Sequence, residues 1–186
     1  YGYYFGSDEK NASMNILSLV QSGLTLGEKE YYLENDEATT EIRNAFKKHI
    51  AKMFQLYGFS EAQAQENANL IMRYETTLAL VSKNNTELRD VEANYNKMTI
   101  KEFEANYPHI GLTKQLKAEG IADNACKLVV GQPDFFAGVD KLIATQSAAE
   151  LKAYIEWNVI CSSASYLSNE IVSANFDFYG KTMSGR

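Results

Sequence analysis

Apolar residues recur along this chain with two different periods. In the first 22 residues, Tyr3-Tyr4-Phe5-Gly6 and Met14 to Val20 are aromatic or β-branched stretches. They flank the turn-prone run Ser7-Asp8-Glu9-Lys10-Asn11. That pattern predicts a β-hairpin with a longer loop, although Ile16 to Val20 suits the opening of a short helix equally well. After Gly27 the period changes. Ile42, Phe46, Ile50, Met53, Phe54 and Tyr57 follow at helical steps, and Gly58 stands where a helix would stop.

Helix starts are marked by side chains that satisfy the orphaned backbone donors of a first turn. Ser60-Glu-Ala-Gln63, Thr99-Ile-Lys-Glu102 and Ser147-Ala-Ala-Glu150 each read as a capping box. The helix after Ser60 carries the stripe Ala64, Ala68, Ile71, Leu78 and Val81. Pro133 fits a first helical turn, where its missing N–H costs nothing. The last element, from 148 to about 179, carries Leu151, Ile155, Val159, Leu167 and Ile171 and is one long helix or two, broken near Ser162-Ser163. The expected fold is mainly α: a multi-helix orthogonal lobe of five to seven helices with a short N-terminal β-hairpin. Residues 1–186 read as a single helical domain, with no internal repeat or linker.

Composition excludes several settings. The 186 residues suffice for a real core, and 45% hydrophobic with 12% aromatic residues argues against disorder. A net charge of −6 without a Lys/Arg cluster argues against nucleic acid or an anionic membrane as partner. No apolar run approaches the roughly 18–20 residues of a membrane span. The chain opens on Tyr1 rather than Met, with no signal-like segment, and reads as an excised piece. Its two cysteines, Cys126 and Cys161, are expected as buried free thiols; a bridge between helices is the sharper alternative.

Constellations for chemistry fail in turn. Neither His49 nor His109 begins His-Glu-x-x-His, the helical spacing that sets two imidazoles on one zinc, and neither completes Glu-x-x-His. There is no phosphate-cradling glycine loop and no Gly-x-Ser-x-Gly elbow. His49, beside an apolar stripe, reads as a packed histidine, and His109 as a solvated loop residue. Glu75 reads as part of a solvated helix face in preference to a buried carboxylate. Arg89-Asp90 reads as a local ion pair or cap. Asn11-Ala-Ser13 and Asn84-Asn-Thr86 match the N-glycosylation acceptor, as asparagine-rich chains do by chance. Tyr31-Tyr32 and Phe178-Tyr179 are aromatic pairs at element ends, suited to core packing or to an aromatic wall facing a substrate.

Several segments occur in an order that resembles one known family. They are Gly6-x-Asp8-x-Lys10-Asn11 and Gln21-x-Gly23-Leu24-x-Leu26-Gly27-Glu28-Lys29-Glu30-Tyr31-Tyr32-Leu33, then His49-Ile-x-x-Met-Phe-x-Leu-x-Gly58 and Glu75-x-x-Leu78-Ala79. Arg89-Asp90, Tyr95-Asn96-Lys97-Met98-Thr99, Gly131-Gln132-Pro133, Leu151-Lys152-x-Tyr154-x-x-Trp157 and Phe178-Tyr179-Gly180-Lys181-Thr182-x-Ser184-Gly185 complete the series. The chain resembles the neprilysin-like zinc metalloendopeptidases, a family that includes endothelin-converting enzymes and bacterial oligopeptidases. Gly27 departs from the proline usual in the family's Leu-Pro-Asp-Arg-Asp-Tyr-Tyr segment.

The resemblance implies a fragment of a helical lobe that covers the active-site cavity and restricts substrates to peptides. Zinc and the catalytic residues belong to a separate lobe of the parent. This fragment carries no catalytic or metal residue and binds no cofactor, so it is expected to be inactive alone. Its partners are the parent's catalytic lobe and peptide substrates, with Tyr31, Tyr32, Phe178 and Tyr179 as candidates for the cavity wall or the lobe interface. Leu33 stands where secreted animal members have a cysteine nearby, which favours a bacterial type of parent. An extracytoplasmic site, periplasmic or surface lipoprotein, is favoured over the cytoplasm. A free-standing helical interaction module is the rival reading.

Overall fold

The computed structural model describes residues 1–121 and 127–186, and the chain is mainly α. It divides into two compact units. Unit 1 comprises Tyr1–Lys29 and Leu78–Thr145, and unit 2 comprises Glu30–Thr77 and Gln146–Arg186. The expectation for Cys126 lies outside the described residues; Cys161 is a free thiol.

Unit 1 is built on strands. β1 (Gly2–Asp8) and β2 (Asn11–Val20) pair antiparallel, with Tyr4 opposite Ser18 and Asp8 opposite Asn11. The hairpin expected from sequence is present, but its loop is shorter than expected. Only Glu9 and Lys10 lie between the strands, because the Asp8 carboxylate accepts from the Lys10 N–H at 3.0 Å and closes the turn itself. Ile16 to Val20 is strand, which settles the alternative left open above.

Two further strands correct the expectation of a lone hairpin. β3 (Asn96–Thr99) and β4 (Lys127–Val130) extend the sheet in the order β1-β2-β4-β3, with β4 parallel to β2 and antiparallel to β3. Each has four residues, too few to show an alternating pattern. β4 lies between two neighbours and buries Leu128, Val129 and Val130 in succession, so it carries the unbroken apolar run of a central strand. Leu17, Leu19, Leu128 and Val130 form one buried face of the sheet.

The helices of unit 1 are α4 (Ile100–Asn106), α5 (Leu112–Ala118) and α6 (Pro133–Thr145). Thr99 and Glu102 complete the capping box of α4, and Pro133 opens α6 as predicted. Phe103, Tyr107, Phe135 and Phe136 are buried, and the rings of Phe103 and Phe136 stand 5.6 Å apart. Burying each such ring stabilises the unit by about 1.5–3 kcal/mol. Gly138 of α6 is needed for close approach: a Cβ there would meet Val81 Cγ2 at 2.6 Å.

Unit 2 contains helices joined by short turns, with no strand among its described residues. α1 (Glu30–Leu33) precedes α2 (Glu37–Leu56), which starts where Asp36 accepts from the Thr39 N–H at 3.0 Å. α3 (Glu61–Val81) gives its residues up to Thr77 to this unit. Ser60 and Gln63 exchange the bonds of the expected box at its start, at 3.3 and 3.4 Å. α7 (Ala148–Ser163) begins with the Ser147/Glu150 box and ends in a single 3-10 turn, Ala164–Tyr166. α8 (Asn169–Phe176) then runs into a π-helix, Asp177–Met183. The break foreseen near Ser162-Ser163 is therefore real. The eight α-helices among the described residues exceed the five to seven expected, because one-turn and two-turn helices such as α1 and α5 leave no periodic stripe. Phe46, Ile50, Phe54, Ile71, Tyr74, Trp157 and Ile160 form the core of this unit.

Candidate functional site

The four aromatic residues singled out from sequence all fall in unit 2, and the structure treats them differently. Tyr32 and Phe178 are buried, whereas Tyr31 and Tyr179 are half-buried. The Tyr31 carbonyl accepts from the guanidinium of Arg43 at 3.1 Å, which fixes the start of α1 against α2. Phe178 and Tyr179 sit side by side at 4.9 Å and both face His49. The imidazole stacks on Phe178 at 4.8 Å with an interplanar angle of 12°, and meets Tyr179 edge-on at 5.7 Å. His49 is thus the packed histidine expected, and burial lowers its pKa from 6.5 to about 4.

Glu75 overturns the expectation of a solvated helix face. It is 0% exposed, and its carboxylate accepts from the Tyr32 hydroxyl and from the Trp157 indole N–H, the latter at 3.3 Å. The signal was present in the spacing. Ala64, Ala68, Ile71, Glu75 and Leu78 follow at steps of four, three, four and three, so Glu75 lies on the buried stripe itself. A carboxylate at such a position survives only with donors around it. The donors come from two segments far apart in sequence, Tyr32 on α1 and Trp157 on α7.

Around this carboxylate the acidity of other groups is suppressed. Burial, and then the charge of Glu75, pushes up the Tyr154 phenol and the Cys161 thiol. Burial first, then Cys161 and Glu75, does the same to Tyr179. A thiol held protonated is a poor nucleophile. The cluster is a packed set of aromatic rings tied to one buried carboxylate, in which the Cys161 thiol is held protonated. No group of three or more His, Cys, Asp or Glu side chains among the described residues could hold a metal ion. No described helix is long and apolar enough to cross a membrane.

The exposed large apolar side chains of unit 2 include several on α7, on the turn after it and on α8. Ile155 (62% exposed) and Val159 (51%) lie on α7, Tyr166 and Leu167 follow at the 3-10 turn, and Val172 and Phe176 lie on α8. α7 buries Ala153, Trp157 and Ile160 on its other side, and Ile155 and Val159 stand on the outward side among Lys152, Glu156 and Asn158.

Unit 1 holds a second cluster. Asp8, 1% exposed, pairs with the Lys97 ammonium and accepts from the Tyr95 hydroxyl at 2.6 Å. These bonds, with that from Lys97 first and that from Tyr95 next, depress its pKa from 3.8 to about 2. Lys10 stands 4.7 Å over the Tyr95 ring and pairs with Glu92 at 2.6 Å. Asp8-x-Lys10 and Tyr95-Asn96-Lys97 are thus two halves of one ion-pair clip. Asp90 acts as a cap, accepting from the Ala93 N–H at 3.0 Å. The Asn11 and Asn84 side chains accept bonds from the residues just after them, Ser13 Oγ at 2.7 Å and the Thr86 N–H at 3.0 Å, as turn asparagines do.

Comparison with known proteins agrees with this architecture. The chain is 29% identical over 185 residues to endothelin-converting enzyme-like 1 of Mus musculus and 25% identical over 179 residues to neprilysin-3 of Drosophila melanogaster. These matches cover 96% and 90% of this chain and 23% of each relative, so the chain spans about a quarter of the length of the relatives it matches. The open-state structure of a zinc metalloprotease from Mycobacterium tuberculosis superposes with a TM-score of 0.93 at 30% identity, covering 100% of this chain and 29% of that one. PepO from Lactobacillus rhamnosis, at 20% identity with a TM-score of 0.84 over 100% of this chain and 29% of that one, shares the fold. The family model for the N-terminal part of peptidase family M13 matches residues 1–186, and the chain belongs to that family.

Proposed function

We propose that this chain is a non-catalytic part of the helical lobe of a zinc-dependent endopeptidase, covering the active-site cavity and restricting substrates to peptides. The observation that carries the reading is the number of exposed large apolar side chains between Ile155 and Phe176, on helices that also bury Trp157, Ile160 and Ile171. A patch of this kind suits a surface covered by the rest of a longer protein. The zinc and the residues that activate water belong to that remainder. Of the two aromatic pairs, Tyr31 and Tyr179 are the more exposed members and the ones we assign to face a peptide.

The test has two arms. Dialysed chain should retain no stoichiometric zinc and should not cleave a fluorogenic peptide; chelator-sensitive turnover by the chain alone would sink the reading. In the longer parent, Ile155→Glu with Val159→Glu should lower peptidase activity. In the isolated chain the same pair should change stability by no more than about 0.5 kcal/mol per site, as for other surface changes. Unchanged parent activity would count against the lobe reading.

A further inference from the structure

A groove of about 310 Å³ runs in unit 2 between α2 and the α8–π segment. One wall comes from Ala45, Lys48, His49 and Lys52, which stand at i, i+3, i+4 and i+7 and so share a face of α2. The other wall comes from Asp177, Phe178 and Thr182. Three features of this groove fit no role in the lobe reading. The Nε2 of His49, in a side chain only 6% exposed, is buried without a hydrogen-bond partner among the described residues. Buried polar atoms left in that condition are rare and call for a ligand or water. Lys48 and Lys52 are exposed and have no ion-pair partner among the described residues. The one acid in the groove, Asp177, is already paired with Lys181 at 2.6 Å.

We propose that this groove binds a small oxyanion, a carboxylate or a phosphate, held between Lys48 and Lys52 over the imidazole of His49. Two bare ammonium groups on adjacent turns, in a chain of net charge −6, make a local excess of positive charge. An oxyanion gains charge-assisted hydrogen bonds from them and a partner for the orphaned Nε2. The titratable groups that face the imidazole or line the groove are Lys48 and Lys52 on α2 and Asp177 and Tyr179 on the π-helix, and Lys181 pairs with Asp177. Thr182 is engaged elsewhere, its hydroxyl donating to the Asp177 carbonyl at 3.2 Å. The proposal concerns the chain alone and does not depend on the lobe reading.

The chain has two histidines, which makes the experiment direct. His109, half-exposed and 2.9 Å from Asp140, serves as the internal control. Chain labelled at histidine is titrated at constant ionic strength with inorganic phosphate, with N-acetyl-alanine and with the amide of N-acetyl-alanine, and both ring signals are followed by NMR. The expected result is a saturable shift of the His49 signal and a rise in its pKa of about one, the scale of a nearby opposite charge. The Lys48→Gln, Lys52→Gln double variant changes only surface positions and should weaken binding about tenfold or more. His49→Phe keeps the stack on Phe178 and should also bind more weakly, read by calorimetry. Saturation by phosphate assigns a phosphoryl ligand, and saturation by N-acetyl-alanine but not its amide assigns a peptide-type carboxylate. No saturation with any probe, equal shifts at both histidines, or binding unchanged in the lysine variant would overturn the proposal.

Discussion

The Trp157 indole donates to the Glu75 carboxylate at 3.3 Å across 82 residues of sequence. Tyr32 donates to the same carboxylate, so α1, α3 and α7 are tied at one buried point. Glu75→Ala would orphan both donors and open a cavity, and should cost about 2–4 kcal/mol. Glu75→Gln keeps the volume and one acceptor and should cost about 1–2 kcal/mol. Urea unfolding of the two variants checks the order, and equal losses would show that the hydrogen bonds contribute little.

His49 predicts a pH dependence at mildly acid pH. Its folded pKa, about 4, lies below the ordinary 6.5, so between these values the unfolded chain binds the extra proton. Stability should be full above about 6.5, fall as pH drops toward 4, and level off below that. The loss attributable to this group is on the order of 3 kcal/mol. His49→Phe should flatten the profile in that window in low-phosphate buffer, as read by thermal unfolding across pH.

Asp8 acts in a separate, more acid window and in the other unit. Its folded pKa is depressed, so its contribution is present above about 3.8 and is lost as pH falls through about 2. Asp8→Asn should be less stable than wild type at neutral pH. The two profiles should converge as pH approaches 2. Acid titration followed by circular dichroism measures both, and parallel profiles would show that the Lys97 pair contributes nothing.

Two glycines crowded to the same distance should behave differently. Alanine at 138 would press its Cβ into Val81, with Cγ2 at 2.6 Å, Cγ1 at 3.3 Å and Cβ at 3.4 Å, too near the backbone to yield. Overpacking of about 1–3 kcal/mol should outweigh the gain in helix propensity of about 1 kcal/mol, so Gly138→Ala destabilises. Alanine at 180 would meet the Phe176 ring at 2.6 Å, but that ring is 50% exposed and can swing into water. Gly180→Ala should be close to neutral. Denaturant midpoints settle the contrast.

The long helices of this chain were legible because their signals are local. Asp36, Ser60, Thr99 and Ser147 sit within three residues of the donors they satisfy. β3 and β4 were not, because a four-residue strand is defined by its neighbours in space, and β4 pairs with residues more than a hundred positions earlier. Of the candidate site, the packing of His49 could be read from its stripe. The burial of Glu75 could have been, since its position on the stripe is a matter of counting. Which ring of each aromatic pair turns inward could not: Tyr32 is claimed by Glu75 and Phe178 by His49, and both partners lie far off in the sequence.

The interleaving of the two units also sets an order of events during synthesis. Leu17 cannot meet its partner Leu128 until 111 further residues have been made. At about 5–20 residues per second, the β1–β2 ribbon waits on the order of ten seconds with an unpaired apolar edge on the ribosome. Unit 1 is complete at Thr145, but unit 2 still lacks Trp157 and Phe178 and must wait for residues 146–186. A chain truncated at residue 145 would therefore display a protease-resistant first unit while helices α1 and α2 are still open to cleavage. The nascent chain needs shielding for longer than its modest size suggests.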